Sequence, residues 1–267
     1  MIPNVLSIAG SDPSGGAGIQ ADLKAISANA AYAMAVITAL TAQNTVGVSG
    51  IHGVPPDFVK AQIGAIFDDI RVDAVKIGMV ATADIVDVVA QSLAVNKAVP
   101  IVLDPVMIAK GGAQLLGDDA VAVLRERLVP ISTVLTPNLP EAAHLLETNV
   151  AKNRAEMAEQ GAALCALGPQ AVLMKGGHLD EDDSPDCLVT AHGVHWFEAA
   201  RHKTRNTHGT GCTLSSALAA QLTKGLSVTT AVAAAKVYVT TAIKHSDKLS
   251  VGSGHGPIHH FANLCSQ

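Results

Sequence analysis

Val5-Leu6-Ser7-Ile8-Ala9-Gly10-Ser11-Asp12-Pro13-Ser14-Gly15-Gly16-Ala17-Gly18-Ile19-Gln20-Ala21-Asp22 is the stretch that sets the architecture. Residues 5–9 are a short, mostly apolar run that reads as a buried strand, and Gly10 ends it. A glycine-rich turn follows, and residues 16–31 read as a helix. The alternation continues down the chain. Short apolar runs at 35–40, 74–77, 101–103, 133–135 and 171–174 read as strands. Helical patterns separate them. One opens at Pro55-Pro56 and runs to about residue 69, and Thr82 caps the next. Others open at Asp118-Asp119, sit at Pro140, or span 152–167. A hairpin is expected from 187–190 and 194–197, with its turn at His192-Gly193, and two alanine-rich helices follow at 210–224 and 228–245. This order builds βαβ units and hence an α/β fold. Its mostly parallel sheet is covered by helices on both faces, in one domain over residues 1–267. Ligands in such sheets bind beyond the carboxyl ends of the strands, and almost every polar cluster here follows a strand.

Composition narrows the function. The 18 Lys+Arg against 23 Asp+Glu give a net charge of −5, not the basic face that a nucleic-acid binder needs. Aromatic content of 3% leaves few platforms for stacking bases. A hydrophobic share of 49% fits a packed globular chain rather than a disordered one. No run reaches the roughly 18 uninterrupted apolar residues of a membrane span. The start, Met1-Ile2-Pro3-Asn4, has no basic leader region, so a cytoplasmic protein with no nucleic-acid or membrane partner is expected. Cys165, Cys187, Cys212 and Cys265 are widely spaced with no C-x-x-C, which points to reduced thiols rather than disulfides or a zinc site. The acidic residues 180–183 read as a solvated loop.

Gly16 to Ala21 match the dinucleotide fingerprint G-x-G-x-x-A. The acid that should hold a ribose about 20 residues on is missing, because the next acidic residue after Asp22 is Asp57. Two readings remain for this turn. It is a loop whose glycines let backbone close on a small ligand, or a plain strand-to-helix turn with Asp12-Pro13 as its turn chemistry.

A second glycine-rich segment carries the strongest signal. Asn206-Thr207-His208-Gly209-Thr210-Gly211-Cys212-Thr213 leads straight into an apolar helix. Free N–H groups and the positive dipole end at a helix start attract anions. Gly209 and Gly211 let those N–H groups converge on an oxyanion or phosphate. Cys212 falls in the first turn, where a thiol pKa is expected to drop. In the purely structural reading, Thr207 or Thr210 is the N-cap. The chain has no Gly-Lys pair, so this is not a P-loop.

Other polar residues near strand ends each have two readings. Lys175, before Gly176-Gly177, suits a phosphate or a surface lysine. Asp104 suits metal or water ordering, or a turn before Pro105. Asn138-Leu139-Pro140-Glu141 reads as a capping box, and compatibly as an N-x-x-E motif that organises Mg²⁺ and phosphates through water. The loop 109–113 reads as a lid. The stretch 254–260 reads as a helix entry with Pro257 near its first position, or as metal ligation by His255, His259 and His260.

Taken in order, residues 9–22, Thr41-Ala42-Gln43-Asn44-Thr45, Lys76-Ile77-Gly78-Met79, Leu103-Asp104-Pro105-Val106, Thr136-Pro137-Asn138-Leu139-Pro140-Glu141-Ala142, Lys175-Gly176-Gly177-His178 and Gly209-Thr210-Gly211-Cys212-Thr213 resemble a known family over essentially the whole chain. That family is the hydroxymethylpyrimidine/phosphomethylpyrimidine kinases of thiamine biosynthesis, in the ribokinase-like superfamily. The resemblance implies a three-layer α/β/α fold and a homodimer. It also implies ATP- and Mg²⁺-dependent phosphorylation of 4-amino-5-hydroxymethyl-2-methylpyrimidine, first to the monophosphate and then to the diphosphate.

The resemblance also implies residue roles. Cys212 stands where sugar kinases of the superfamily carry a catalytic aspartate, and would accept the substrate hydroxyl's proton, with Gly209 and Gly211 completing the anion hole. Thr210, Gly211, Asn138 and Lys175 would hold phosphates, and Lys175 would also hold the monophosphate that becomes the second acceptor. Glu141 and Asp104 would hold Mg²⁺ through water. Gln43, whose carboxamide can pair with a ring nitrogen and the adjacent amino group, would read the pyrimidine. Ala17, Asp22, Met79 and Val106 would complete its pocket, Met79 and Val106 as apolar wall; Asp22 fits the polar face of the first helix equally well. After Lys110 the chain departs from the Ser-Gly-Asp expected in relatives. The rival readings are a pyridoxal kinase and a non-catalytic vitamin-binding regulator.

Overall fold

In the computed structural model, which describes residues 1–95, 99–108, 112, 115–180 and 182–264, the mostly apolar strand runs form the centre of the molecule. The strands are β1 (Asn4–Ala9), β2 (Tyr32–Ile37), β5 (Ala74–Ile77), β6 (Ile101–Leu103), β7 (Val134–Leu135), β8 (Ala171–Lys175), β9 (Asp186–Thr190) and β10 (Gly193–Phe197). They make one sheet in the order β10-β9-β8-β7-β6-β5-β1-β2. All pairs from β8 to β2 are parallel, and β9 is antiparallel to both its neighbours.

Side-chain alternation sorts the sheet into two cores. Leu6 and Ile8 face α2 (Pro56–Phe67), α3 (Ala83–Ala94), α4 (Asp118–Arg127), α5 (Leu139–Leu146) and α6 (Arg154–Cys165). Val5 faces α1 (Gly18–Ala28), α7 (Thr210–Leu222) and α8 (Val228–Lys244). The result is the expected three-layer α/β/α arrangement. Helix α7 is apolar or small nearly all round because it lies against both α1 and α8. Thr82 caps α3 as its sequence predicts, and Asn138 with Glu141 forms a capping box on α5.

Four expectations need correction. The run 35–40 is not one strand. β2 ends at Ile37, buried Thr38 ties its hydroxyl to the carbonyl of Met79 at 2.7 Å, and β3 (Ala39–Gln43) turns away to pair antiparallel with β4 (Val48–Gly53). The first helix starts at Gly18 rather than 16, because the Asp12 carboxylate takes the N–H groups of Ser14 and Ala17 and holds that stretch as a loop. Neither Thr207 nor Thr210 caps α7. Gly209, at φ 76°, is its N-cap, and the Thr210 hydroxyl donates back to the carbonyl of Thr207 at 2.8 Å. No helix begins at Pro257, which instead pairs in parallel with His208. Residues 109–111 and 113 of the lid expectation, and Cys265, lie outside the described residues.

Candidate active site

The carboxyl ends of β1, β5, β6 and β8 open on a cavity of about 1060 Å³, roomy enough for a small heterocycle and a second, larger ligand. Two glycine-rich loops form one wall. Asp12 organises the first: its Oδ1 accepts from the Ser14 N–H (2.9 Å) and hydroxyl (2.7 Å), and its Oδ2 from the Ala17 N–H (2.8 Å). The same Oδ2 lies 2.8 Å from Nε2 of His208, in the second loop. Burial alone would raise the Asp12 pKa, but the bonds from His208 and Ser14 outweigh it and hold the carboxyl below its ordinary value. No side chain caps α7; the Thr210 N–H donates to the carbonyl of Thr207 at 3.3 Å, and the N–H groups of Gly211 and Cys212 at the cavity wall are left for an anion.

Next to that helix start stands a charged cluster. Lys175 closes β8, and its backbone N–H donates to the carbonyl of Pro137 just before α5. Its ammonium lies 2.7 Å from Oδ1 of Asp104 and 3.5 Å from Oε2 of Glu141. Burial opposes the charge on Lys175, yet the two carboxylates outweigh it and raise its pKa well above the usual lysine range. Glu141 is pushed up to about 7, by burial first and by the charge of Asp104 next, with Lys175 pulling the other way. A methyl placed on Gly211 would lie 3.3 Å from the Lys175 ammonium and 3.6 Å from the Asp104 carboxylate, so the helix start and the cluster border one space. Asn138 lines the same space, although its Oδ1 is engaged with the Glu141 N–H.

Cys212 corrects an expectation. Withdrawal from water pushes its thiol up to about 11, Asp22 and Asp104 add to this, and neither Lys76 nor the Gly18 N–H reverses it. The helix start therefore does not make a ready thiolate. Behind Cys212, one turn along α7, Ser216 donates to Oδ1 of Asp22 at 2.7 Å. Ser7 donates to Oδ2 at 2.6 Å, and the Lys76 ammonium holds both oxygens at 2.9 and 2.8 Å. Asp22 and Lys76 are both fully buried. Asp22 thus spends its carboxylate inside the protein and does not line the cavity, unlike the other four residues assigned to the pyrimidine. Gln43, Ala17, Met79 and Val106 all line it. A register shift between Ala42 and Gln43 re-aims the strand at that point.

Sequence reasoning gave Asp12 only a turn role and gave none to His208 or Lys76. For Lys76 a signal existed: it is one lysine inside an otherwise apolar, fully buried strand.

The model of the family described as "Phosphomethylpyrimidine kinase" matches residues 12–259. The chain belongs to the phosphomethylpyrimidine kinase family. This kinase is 54% identical over 258 residues to the hydroxymethylpyrimidine/phosphomethylpyrimidine kinase of Escherichia coli strain K12, covering 97% of each chain. Among solved structures, the phosphomethylpyrimidine kinase of Clostridium difficile 630 is 43% identical with a TM-score of 0.81, over 90% of this chain and 99% of that one. An ADP complex of Bacillus subtilis pyridoxal kinase is 37% identical with a TM-score of 0.92, over the whole of both chains. The kinase is a phosphotransferase of thiamine biosynthesis with a ribokinase-like fold.

Proposed function

We propose that the kinase moves the terminal phosphoryl group of ATP to the hydroxymethyl oxygen of 4-amino-5-hydroxymethyl-2-methylpyrimidine, and then adds a second phosphoryl group to the product. One observation carries the reading: a single cavity is lined by an uncapped helix start, by Lys175 and by the Gln43 carboxamide. The ADP held by the Bacillus subtilis relative supports a nucleotide in the same cavity.

Phosphoryl transfer is loose and gains most from positioning and from donors aimed at the phosphoryl oxygens. The N–H groups of Gly211 and Cys212, with Lys175, supply that stabilisation. With a pKa of about 11, the Cys212 thiol is protonated at neutral pH, so it orients the substrate hydroxyl and does not take its proton, which passes to an oxygen of the transferred phosphoryl group. As the hydroxyl oxygen bonds to phosphorus, the bond to the bridging oxygen breaks and ADP leaves.

Among the described residues, no three His, Cys, Asp or Glu side chains form a metal cage. The donor set suits Mg²⁺ nonetheless, because that ion keeps several waters and takes only one or two carboxylates plus substrate phosphates. Asp104 and Glu141 are the residues that would hold it. Mg²⁺ would neutralise charge on the phosphates.

Mass spectrometry of products from the pyrimidine and Mg-ATP tests the reading. Monophosphate and diphosphate are expected. Faster turnover of pyridoxal would overturn it in favour of a pyridoxal kinase, and absence of ATP consumption would point to a non-catalytic binder. A single domain over residues 1–267, a cytoplasmic location and a homodimer belong to the same proposal, and sedimentation equilibrium tests the dimer. No helix among the described residues is long and apolar enough to cross a membrane.

A further inference from the structure

We infer that His208, anchored on Asp12, is a positioning residue that fixes which way round the Gln43 carboxamide faces the cavity. It thereby sets the preference for an aminopyrimidine over the corresponding oxopyrimidine. This rests on the proposed function, and the residues it adds, His208 and Asp12, have no part in that function.

The argument begins with hydrogens. Nε2 of His208 lies 2.8 Å from Oδ2 of Asp12, a carboxylate kept charged by its surroundings, so Nε2 carries a proton and donates it there. The same Nε2 lies 3.4 Å from the Gln43 Nε2 position. Two N–H groups cannot bond to each other. The Thr41 hydroxyl stands 3.2 Å from Oε1 of Gln43, but its proton already goes to the Ser11 carbonyl at 2.8 Å. Turning the carboxamide over satisfies every group. Oε1 then shares the His208 proton, and the amide nitrogen donates to Thr41 Oγ1. The nearly isosteric ends of a carboxamide make the turn easy, and the hydrogen-bond network decides it.

The anchor is rigid. His208 is 6% exposed. Its ring lies so close to Gly16 that a Cβ there would overlap it. Its backbone N–H donates to the carbonyl of Gly256 at 3.0 Å, and Pro257 pairs beside it. Asp12 is held in turn by Ser14 and Ala17. Gln43 therefore presents its second amide hydrogen and its second oxygen lone pair to the cavity in one fixed order. An aminopyrimidine offers a ring-nitrogen acceptor beside an amino donor. Its oxo counterpart offers a ring N–H beside a carbonyl, the reverse pattern, which one fixed carboxamide cannot also match.

The test compares kcat/KM for the aminopyrimidine and for its 4-oxo analogue. In His208→Leu the amino-over-oxo ratio should fall by about tenfold or more, with the aminopyrimidine loss mainly in KM. His208→Gln, which keeps an N–H donor, should recover most of the ratio. Asp12→Asn puts a donor opposite the ring, inverts the histidine tautomer and should also lower the ratio, so it decides the matter if His208→Leu does not fold. A folded His208→Leu that keeps the wild-type ratio, or an Asp12→Asn that does, would overturn the inference alone. A wild-type enzyme that ignores the aminopyrimidine would defeat the functional reading and this inference with it.

Discussion

Gly209 and Gly16 touch backbone to backbone: the Cβ that any other residue would bring at position 209 overlaps the carbonyl oxygen of Gly16. The two glycine-rich loops, far apart in sequence, are thus one wall of the cavity, and Gly209 starts α7 at φ 76°, in the left-handed region that glycine takes without strain.

Gly209→Ala should push the loops apart and misplace the N–H groups of the helix start. The loss of one aligned donor set of this kind costs on the order of 10²–10³ in kcat. Steady-state kinetics would show it, and a Gly209→Ala enzyme with unchanged kcat would remove the helix start from phosphoryl stabilisation.

The buried Lys76–Asp22 pair makes a prediction about stability. Lys76→Met leaves the Asp22 carboxylate in the core with only two serine hydroxyls. Breaking such a pair costs about 3–5 kcal/mol, whereas replacing both partners by apolar residues is often neutral. Denaturant unfolding should therefore find Lys76→Met severely destabilised and Lys76→Met/Asp22→Leu largely recovered. A single variant that is as stable as wild type would contradict this account.

Much of this was legible in the sequence wherever a local rule agreed with the tertiary result. The runs at 74–77 and 101–103 became β5 and β6 unchanged, because a strand buried on both faces reads as a near-continuous apolar run, broken in β5 only by Lys76. The Asn138–Glu141 capping box is purely local. The β3–β4 ribbon was illegible: β4 carries two glycines and is largely exposed, so no apolar alternation marks it. The fate of Asp22 was also hidden, because its partners Lys76 and Ser216 lie 54 and 194 residues away. Likewise the high pKa of Cys212 comes from burial and from carboxylates on other elements, which a helix-start rule does not see.

That high pKa can be read directly. Alkylation of Cys212 by iodoacetamide, followed by peptide mass mapping, should keep accelerating as pH rises towards about 11. A plateau at neutral pH would mean that the thiol is a thiolate in the resting enzyme. If the protonated thiol acts by orienting the hydroxyl, Cys212→Ser should also retain more turnover than Cys212→Ala, with both folded.

One ammonium between two carboxylates makes the last prediction. Lys175 sits closer to Asp104 than to Glu141, and burial, with the charge of Asp104, pushes Glu141 up to about 7 against the pull of Lys175. Below that pH Glu141 is mostly protonated and a poor ligand for a divalent cation. The kcat/KM for Mg-ATP should therefore fall as pH drops through about 7. The stability effect has the opposite sign. The folded pKa lies above the ordinary 4.5, so between the two values the folded chain binds more protons than the unfolded one, and stability declines as pH rises through that window. Glu141→Gln keeps a capping box and should remove both inflections. An unaltered pH profile in Glu141→Gln would assign the titration to another group.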